Sequence, residues 1–252
     1  MAGREREEAA HVRLVRKLRA IADLTPEAIR AVEALPLRVR ELPEGSDVVS
    51  EGDTPTECCL LVDGWIARYK LMKHGQRQIF SFHIPGDIPD LQSLYLKTMD
   101  HGLCALTPAQ VAFIPHADMQ DAIRRHESLR IACWRDTLVD AAVFREWMAG
   151  IGRRSAYERI AHLFCEIYVR LRAVGLIDGG GFPLAITQAE IADALGLTSV
   201  HVNRVLKELR RDQLIATPGR YVSILDWDGL RTAGDFDPTY LHLRSAADEN
   251  PS

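Results

Sequence analysis

Two capped, amphipathic helical segments joined by one glycine constrain this chain more tightly than any other feature. They lie in ITQAEIADALGLTSVHVNRVLKELRRDQLI, residues 186–215. Thr187 and Glu190 stand at capping-box spacing, so each side chain can satisfy the other's backbone N–H and start a helix there. Ile191 and Leu195 fall one turn apart on its inner face, and Gly196 permits the left-handed residue that ends a helix sharply. Thr198 caps the second segment, in which Val202, Val205, Leu206 and Leu209 form one apolar stripe. The small Ala192 lets the two helices approach closely.

The residues left facing outward near the start of the second helix are Ser199, Val200, Asn203 and Arg204, with His201 at the margin. A short helix that ends in a turn and presents a second helix by its N-terminal half is the geometry of a recognition helix in a DNA major groove. Arg204 is the expected base reader, because its planar fork matches guanine O6 and N7. Ser199 and Asn203 can reach base edges, and Val200 offers only apolar contact, for instance to a thymine methyl. His201 suits a base or a phosphate; Thr187, Lys207, Arg211 and Arg220 suit phosphates. An ordinary helical hairpin carries caps and solvated charges too. What tips the reading toward DNA is the sequel: Leu214-Ile215, a turn at Thr217-Pro218-Gly219-Arg220 and the run Tyr221–Leu225 make a β-hairpin wing.

The formal net charge of −4 argues against a wholly basic nucleic-acid binder. Its distribution changes the reading, since basic residues outnumber acidic ones between Arg153 and Arg220 while residues 223–252 are acidic. Upstream, Val12, Val15, Leu18 and Ile21 recur at helical spacing, and Thr25-Pro26-Glu27 reads as a second helix start, so two short helices are expected to open the chain. From Leu37 to about Ile114 short apolar runs alternate with Glu51-Gly52-Asp53, Asp63-Gly64, His74-Gly75 and Pro85-Gly86-Asp87, the pattern of an antiparallel β domain. Asp63-Gly64 is its sharpest hairpin signal. A long helix is expected from Asp118 to Gly150, with Leu129, Ala132, Asp136, Val139, Val143 and Trp147 roughly on one face. Such a face either covers the β domain or forms a dimer seam, and the length of the helix favours the seam. Gly150-Ile151-Gly152 then reads as a hinge, and Ser155 with Glu158 as a capping box that restarts a helix.

In these motifs the chain resembles the family of the cyclic-AMP receptor protein and the fumarate-nitrate regulator (Crp-Fnr) over about residues 35–225. The resemblance rests on Glu51-Gly52-Asp53, Pro85-Gly86-Asp87, the junction from Ile151 to Ala161 and above all Thr187 through Arg204. It implies an α+β fold: N-terminal helices (1–34), a β-roll of cyclic-nucleotide-binding-like jelly-roll type (35–117), a dimerisation helix (118–152) and a winged helix-turn-helix (153–234). An acidic, flexible tail is expected over 235–252. The family's base-reading sites fall on Ser199, Val200 and Arg204, and only the arginine matches the usual pattern. Many members carry a glutamate where Val200 stands, so the operator is expected to differ there. The family's cyclic-nucleotide pocket uses Gly-Glu and then Arg-Ser or Arg-Thr, but Asp90-Leu91 and Met99-Asp100-His101 occupy those places. Between Asp87 and Pro115 the only Lys or Arg is Lys97, so cyclic AMP is not expected to bind. No cysteine precedes Cys58, which argues against the iron-sulfur cluster of some members.

Other chemistry finds less support. Cys58, Cys59, Cys104, Cys133 and Cys165 form no Cys-x-x-Cys pair, and an odd count does not suit a disulfide framework. His74, His83, His101 and His116 lack the i, i+3 or i, i+4 spacing of a helical metal site. No nucleophile elbow, P-loop or His-Glu-x-x-His motif occurs, and Gly179-Gly180-Gly181 reads as a linker turn. The expectation is therefore a cytoplasmic, non-enzymatic homodimer without a resident cofactor, bound to a palindromic double-stranded operator and to no membrane, with RNA polymerase as a candidate further partner. The alternative is a haem- or thiol-based sensor whose output is DNA binding.

Overall fold

The computed structural model describes residues 2–244 of the chain, which form two compact units. Residues 2–70, 82–141 and 242–244 make the first, and residues 71–81 and 142–241 the second.

The first unit opens with α1 (Ala2–Ile21) and α2 (Pro26–Glu33). Along the chain the strands follow: β1 (Arg38–Leu42), β2 (Asp47–Val49), β3 (Glu57–Asp63), β4 (Ile66–Leu71), β5 (Arg77–His83), of which residues 77–81 belong to the second unit, β6 (Gly102–Ala105) and β7 (Ala109–Pro115). They form two sheets, ordered β1-β7-β3 and β2-β6-β4-β5. β3 explains why its sequence reads as an unbroken apolar run. Alternate residues serve two cores: Cys58, Leu60 and Val62 pack with the helices, while Cys59 and Leu61 pack with Ile66, Leu103 and Val111 between the strands. The adjacent cysteines thus point to opposite faces.

Several local expectations change here. The first helix is long, twenty residues. Its buried face is Ala10, Leu14, Leu18 and Ile21, whereas Val12 is exposed. Asp63-Gly64 is no hairpin: β3 and β4 belong to different sheets, and the chain turns a corner between them. Gly64 has φ +87°, and a Cβ there would stand 2.6 Å from the Pro108 carbonyl oxygen, so the positive φ was rightly read but serves a close approach. The helix expected from Asp118 is two helices, α3 (His116–Arg125) and α4 (Glu127–Arg153), separated by an extended His126. No proline or glycine marks that break, which follows a helix whose Met119, Ala122 and Ile123 are buried in the helical core. At the far end α4 runs through Gly150 and Gly152 to Arg153, and the interruption falls at Arg154. Two glycines inside a helix cost about 1 kcal/mol each, which a packed helix tolerates.

The second unit is organised on α5 (Ala156–Ala173), started by the Ser155–Glu158 capping box as expected. Ile160, Ala161, Leu163, Phe164, Ile167 and Leu171 are buried along it. Around it lie β8 (Gly181–Pro183), α6 (Gln188–Leu195), α7 (Ser199–Arg211), β9 (Ile215–Ala216), β10 (Tyr221–Ile224) and α8 (Trp227–Ala233). The wing is antiparallel, β9 pairing with β10. β8 adds a third strand where a linker was expected, and Gly181 is required in it because a Cβ would fall 2.2 Å from the Val222 carbonyl oxygen.

The expectation of a flexible tail from residue 235 fails as far as residue 244. Phe236 and Leu241 are buried, and Pro238–Leu241 forms a 3-10 turn. The acidic Asp235 and Asp237 alternate with these anchors and stay exposed, which is why composition misled. Residues 245–252 of that expectation lie outside the described residues.

Candidate nucleic-acid interface

The local signals at the helix-turn-helix translate directly into geometry. Thr187 accepts a bond from Glu190 N at 3.2 Å, and the Glu190 carboxylate accepts from Thr187 N at 2.6 Å. Gly196 ends α6 in the left-handed conformation, φ +64°, and Thr198 caps α7 by accepting from His201 N. The expected stripe Val202, Val205, Leu206 and Leu209 is buried, as is Ala192. α7 therefore turns the opposite face outward.

On that face Ser199, Val200 and Arg204 are exposed and His201 and Asn203 half-buried. Val200 is 81% exposed, an arrangement that earns nothing in folding and suits contact with an apolar group such as a thymine methyl. The Arg204 guanidinium donates from Nη2 to His201 Nε2 at 2.8 Å, and its Nε lies 3.8 Å from Glu208. Both partners are on the protein surface, so a guanine edge can displace them. Asn203 Nδ2 donates to Gln188 Oε1 at 3.2 Å. Gln188 was missed from sequence: it is the first residue of α6, with no signal beyond the cap before it, and it ties α6 to Asn203, a residue expected to reach a base edge.

The phosphate candidates divide. Lys207 is exposed. Arg211 is exposed but donates to Asp212 at 3.0 Å, and Asp212 also accepts from Tyr157 OH at 2.9 Å and is held below the usual carboxylate range by those two bonds. Arg220, beside the wing's Gly219 at φ +62°, donates to the Ala185 carbonyl. The Thr187 hydroxyl serves the cap of α6, leaving it at the positive end of that helix.

The stripe expected as a dimer seam is largely buried within the chain itself. Leu129 and Ala132 are fully buried in the first unit's own core, and Asp136 lies 3.5 Å from the Lys17 ammonium. Val143 and Trp147 are also buried, with Val139 half-buried. α4 has a second apolar face instead. Ile131, Trp134 and Leu138 are exposed at the three- and four-residue steps of a heptad repeat, Trp134 by 64%, and Met148, ten residues further along α4, is 69% exposed.

A second set of polar groups is buried in the first unit. Arg68, on β4, donates from Nη1 to Asp140 at 2.7 Å and from Nη2 to the Pro89 carbonyl at 2.5 Å. Lys17 reaches Asp87 at 2.6 Å, and His83 Nδ1 lies 3.6 Å from Asp87. Burial pushes the His83 imidazole down to about 4, and Arg68 adds to this against Asp87. Burial raises Asp136, whereas Arg68 and His83 outweigh burial at Asp140 and hold it low. All five cysteines are buried free thiols. Burial pushes Cys133 and Cys165 up to about 12 and Cys58 and Cys59 higher still. Among the described residues no group of three or more His, Cys, Asp or Glu is placed to hold a metal ion, and no helix is long and apolar enough to cross a membrane.

A two-sheet β domain, a long helix with an exposed apolar face and a winged helix-turn-helix with an exposed reading face define a DNA-binding regulator. Comparison with known proteins agrees. Residues 158–233 match the model of the Crp-like helix-turn-helix domain, and residues 39–126 that of the cyclic nucleotide-binding domain. The chain is 32% identical over 212 residues to the nitrogen fixation regulation protein FixK of Bradyrhizobium diazoefficiens, covering 81% of this chain and 85% of the relative. It is 30% identical to FixK of Rhizobium meliloti, covering 75% and 83%. The solved structure of FixK2 from Bradyrhizobium japonicum superposes with a TM-score of 0.72 at 23% identity, over 79% of this chain and 98% of that one. The chain belongs to the Crp-Fnr family of transcription regulators.

Proposed function

We propose that this regulator acts as a cytoplasmic, non-enzymatic homodimer that reads a roughly palindromic operator and does not respond to cyclic AMP. The observation that carries the reading is the N-terminal face of α7, where Arg204 and the solvent-exposed Val200 stand free of the core. Arg204 reads a guanine and Val200 an apolar edge. Ser199 and Asn203 reach neighbouring bases, and His201, Lys207 and Arg220 lie toward the backbone. Two such helices enter successive major grooves about 34 Å apart. RNA polymerase is the further partner such a protein recruits or blocks.

The dimer forms along Ile131, Trp134, Leu138 and Met148 of α4, because an exposed tryptophan in a heptad stripe is stabilised by about 2 to 3 kcal/mol when buried. Trp134→Glu is expected to turn a dimer into a monomer in sedimentation equilibrium while leaving the far-ultraviolet spectrum intact. An unchanged dimer would move the interface elsewhere.

Cyclic AMP does not fit the β-roll. Its phosphate needs a guanidinium free to accept it, and Arg68 is already engaged by Asp140 and the Pro89 carbonyl. Three carboxylates, Asp87, Asp136 and Asp140, stand among Lys17 and Arg68, a field that disfavours a further anion. The thiol alternative is disfavoured by burial, which encloses all five cysteines and raises the thiols of Cys58, Cys59, Cys133 and Cys165. Selection from random duplex DNA, with and without cyclic AMP, tests the whole reading. One enriched palindrome, unaffected by the nucleotide, is expected; no enrichment under either condition would sink it.

A further inference from the structure

The chain beyond residue 233 lies outside the matched helix-turn-helix model, yet it is built into the second unit through a buried charge. Glu166, on α5, is fully buried. Its Oε2 accepts from Trp147 Nε1 on α4 at 2.9 Å and from the Tyr240 hydroxyl at 2.8 Å, and its Oε1 accepts from Arg170 Nη1 at 3.2 Å. One turn earlier on α5, His162 has Nδ1 3.0 Å from the Gly234 carbonyl and Nε2 3.0 Å from the Tyr240 hydroxyl. The His162 ring stacks on Tyr240 and meets Phe236 edge-on at 5.1 Å. Arg154 joins Glu146, at 2.6 Å, to Asp235, at 3.2 Å. A Cβ on Gly234 would stand 2.6 Å from the His162 backbone nitrogen, so the segment runs directly against the α5 backbone.

An ionised carboxylate without water is costly unless its donors are in place, and apolar side chains of the same volume would fill this site at no such cost. What the carboxylate adds is registration. A single oxygen is shared by donors from the last turns of α4 and from the C-terminal segment, and its acid is carried by α5. Sliding any of the three elements leaves a buried charge underdonated. Every group in this network belongs to the second unit.

We propose that residues 234–241 are a strap that fixes the last turns of α4 against α5, and hence against the reading helix, with Tyr240 and Glu166 as positioning residues for DNA recognition. The proposal rests on the dimeric reading above: with α4 held by its symmetry mate, the angle between α4 and α5 sets the separation of the two recognition helices. The strap then sets which half-site spacing is read, and leaves what each helix reads unchanged.

Tyr240→Phe removes the hydroxyl's bonds to Glu166 and His162 and keeps the ring stacking, and Glu166→Gln replaces the carboxyl group by an amide. Each full-length variant is measured, below its thermal transition, on a single half-site and on complete operators with the natural spacing or one base pair inserted or deleted. The expected result is unchanged half-site binding, about tenfold weaker binding to the natural operator and a smaller penalty for altered spacing. The double variant is expected to lose no more than the worse single one. Equal losses on half-site and full operator would reduce the strap to general stability and overturn the proposal, as would an unchanged spacing profile in both variants. Sedimentation of the same samples separates this failure from failure of the dimer.

Discussion

The polar groups of α7 and those buried in the first unit obey opposite rules. On α7, Arg204 leans on His201 and Glu208 at the surface, Lys207 is solvated and Val200 stands in water. In the first unit, Arg68, Asp87, Asp136, Asp140 and Lys17 answer one another across three elements and an intervening loop, with His83 held neutral by burial. In the proposed reading the first set exchanges its weak surface partners for bases and phosphates. The second is paired internally, Arg68 with Asp140 and the Pro89 carbonyl and Lys17 with Asp87, while Arg68 Nε is buried without a hydrogen-bond partner. Removing a buried partner costs several times what removing an exposed one does. That contrast suggests where a variant should change folding and where it should change only recognition.

The largest expected effect lies in the buried set and is a pair of opposed pH dependences. His83 is pushed down to about 4, so protonation on unfolding draws stability away as pH falls from about 6.5 toward 4. Asp90, raised by burial to about 7 against the donated Cys59 N–H, does the reverse: its contribution is present at low pH and is lost as pH rises through about 7. The full contributions are roughly 3 kcal/mol for His83 and roughly 4 kcal/mol for Asp90, and across pH 4 to 6.5 the two oppose each other. In urea unfolding each variant is therefore compared with the native chain across this range. Asp90→Asn should make it acid-labile, and His83→Gln should make it less stable as pH rises. Parallel slopes in the two variants would break the account.

On the exposed side the effects are smaller and confined to DNA. Arg204→Ala is expected to weaken specific binding by about 1 to 3 kcal/mol and to relax the preference at one guanine, with an unchanged melting temperature. A uniform loss on all sequences would assign Arg204 to the backbone instead. Lys207→Ala should change affinity least, lowering the salt dependence by about one counterion whatever the sequence. A sequence-dependent loss there would show that the division between reading and positioning residues is drawn in the wrong place.

The comparison also explains which parts of the molecule were legible. The reading face was, because a cap, a left-handed glycine and an apolar stripe are set within a few residues and need no distant partner: Thr187, Gly196, Thr198 and Val202 behave as their chemistry dictates. Ser155 with Glu158 and the wing were legible for the same reason. The face of α4 was not. Both its stripes are apolar, and periodicity identifies faces without saying which one the chain's own core will take; Leu129 went in and Trp134 stayed out. Asp63-Gly64 announced a positive φ, but whether it closes a hairpin or turns a corner between sheets depends on Pro108, more than forty residues away. Phe236 and Leu241 were hidden in an acidic stretch, because burial there depends on distant partners, Phe236 packing edge-on against His162 more than seventy residues away.

By itself, then, the sequence determined the helix-turn-helix, its outward residues and the order of the elements, all of which follow from hydrogen bonds and side-chain periods local to the chain. Tertiary structure alone decided which apolar face of α4 remains free, how the β-roll's charges neutralise one another and that the C-terminal segment is fastened to α5. Those outcomes depend on burial and charge pairing between residues tens of positions apart, where the free energy belongs to the contact and to neither partner alone.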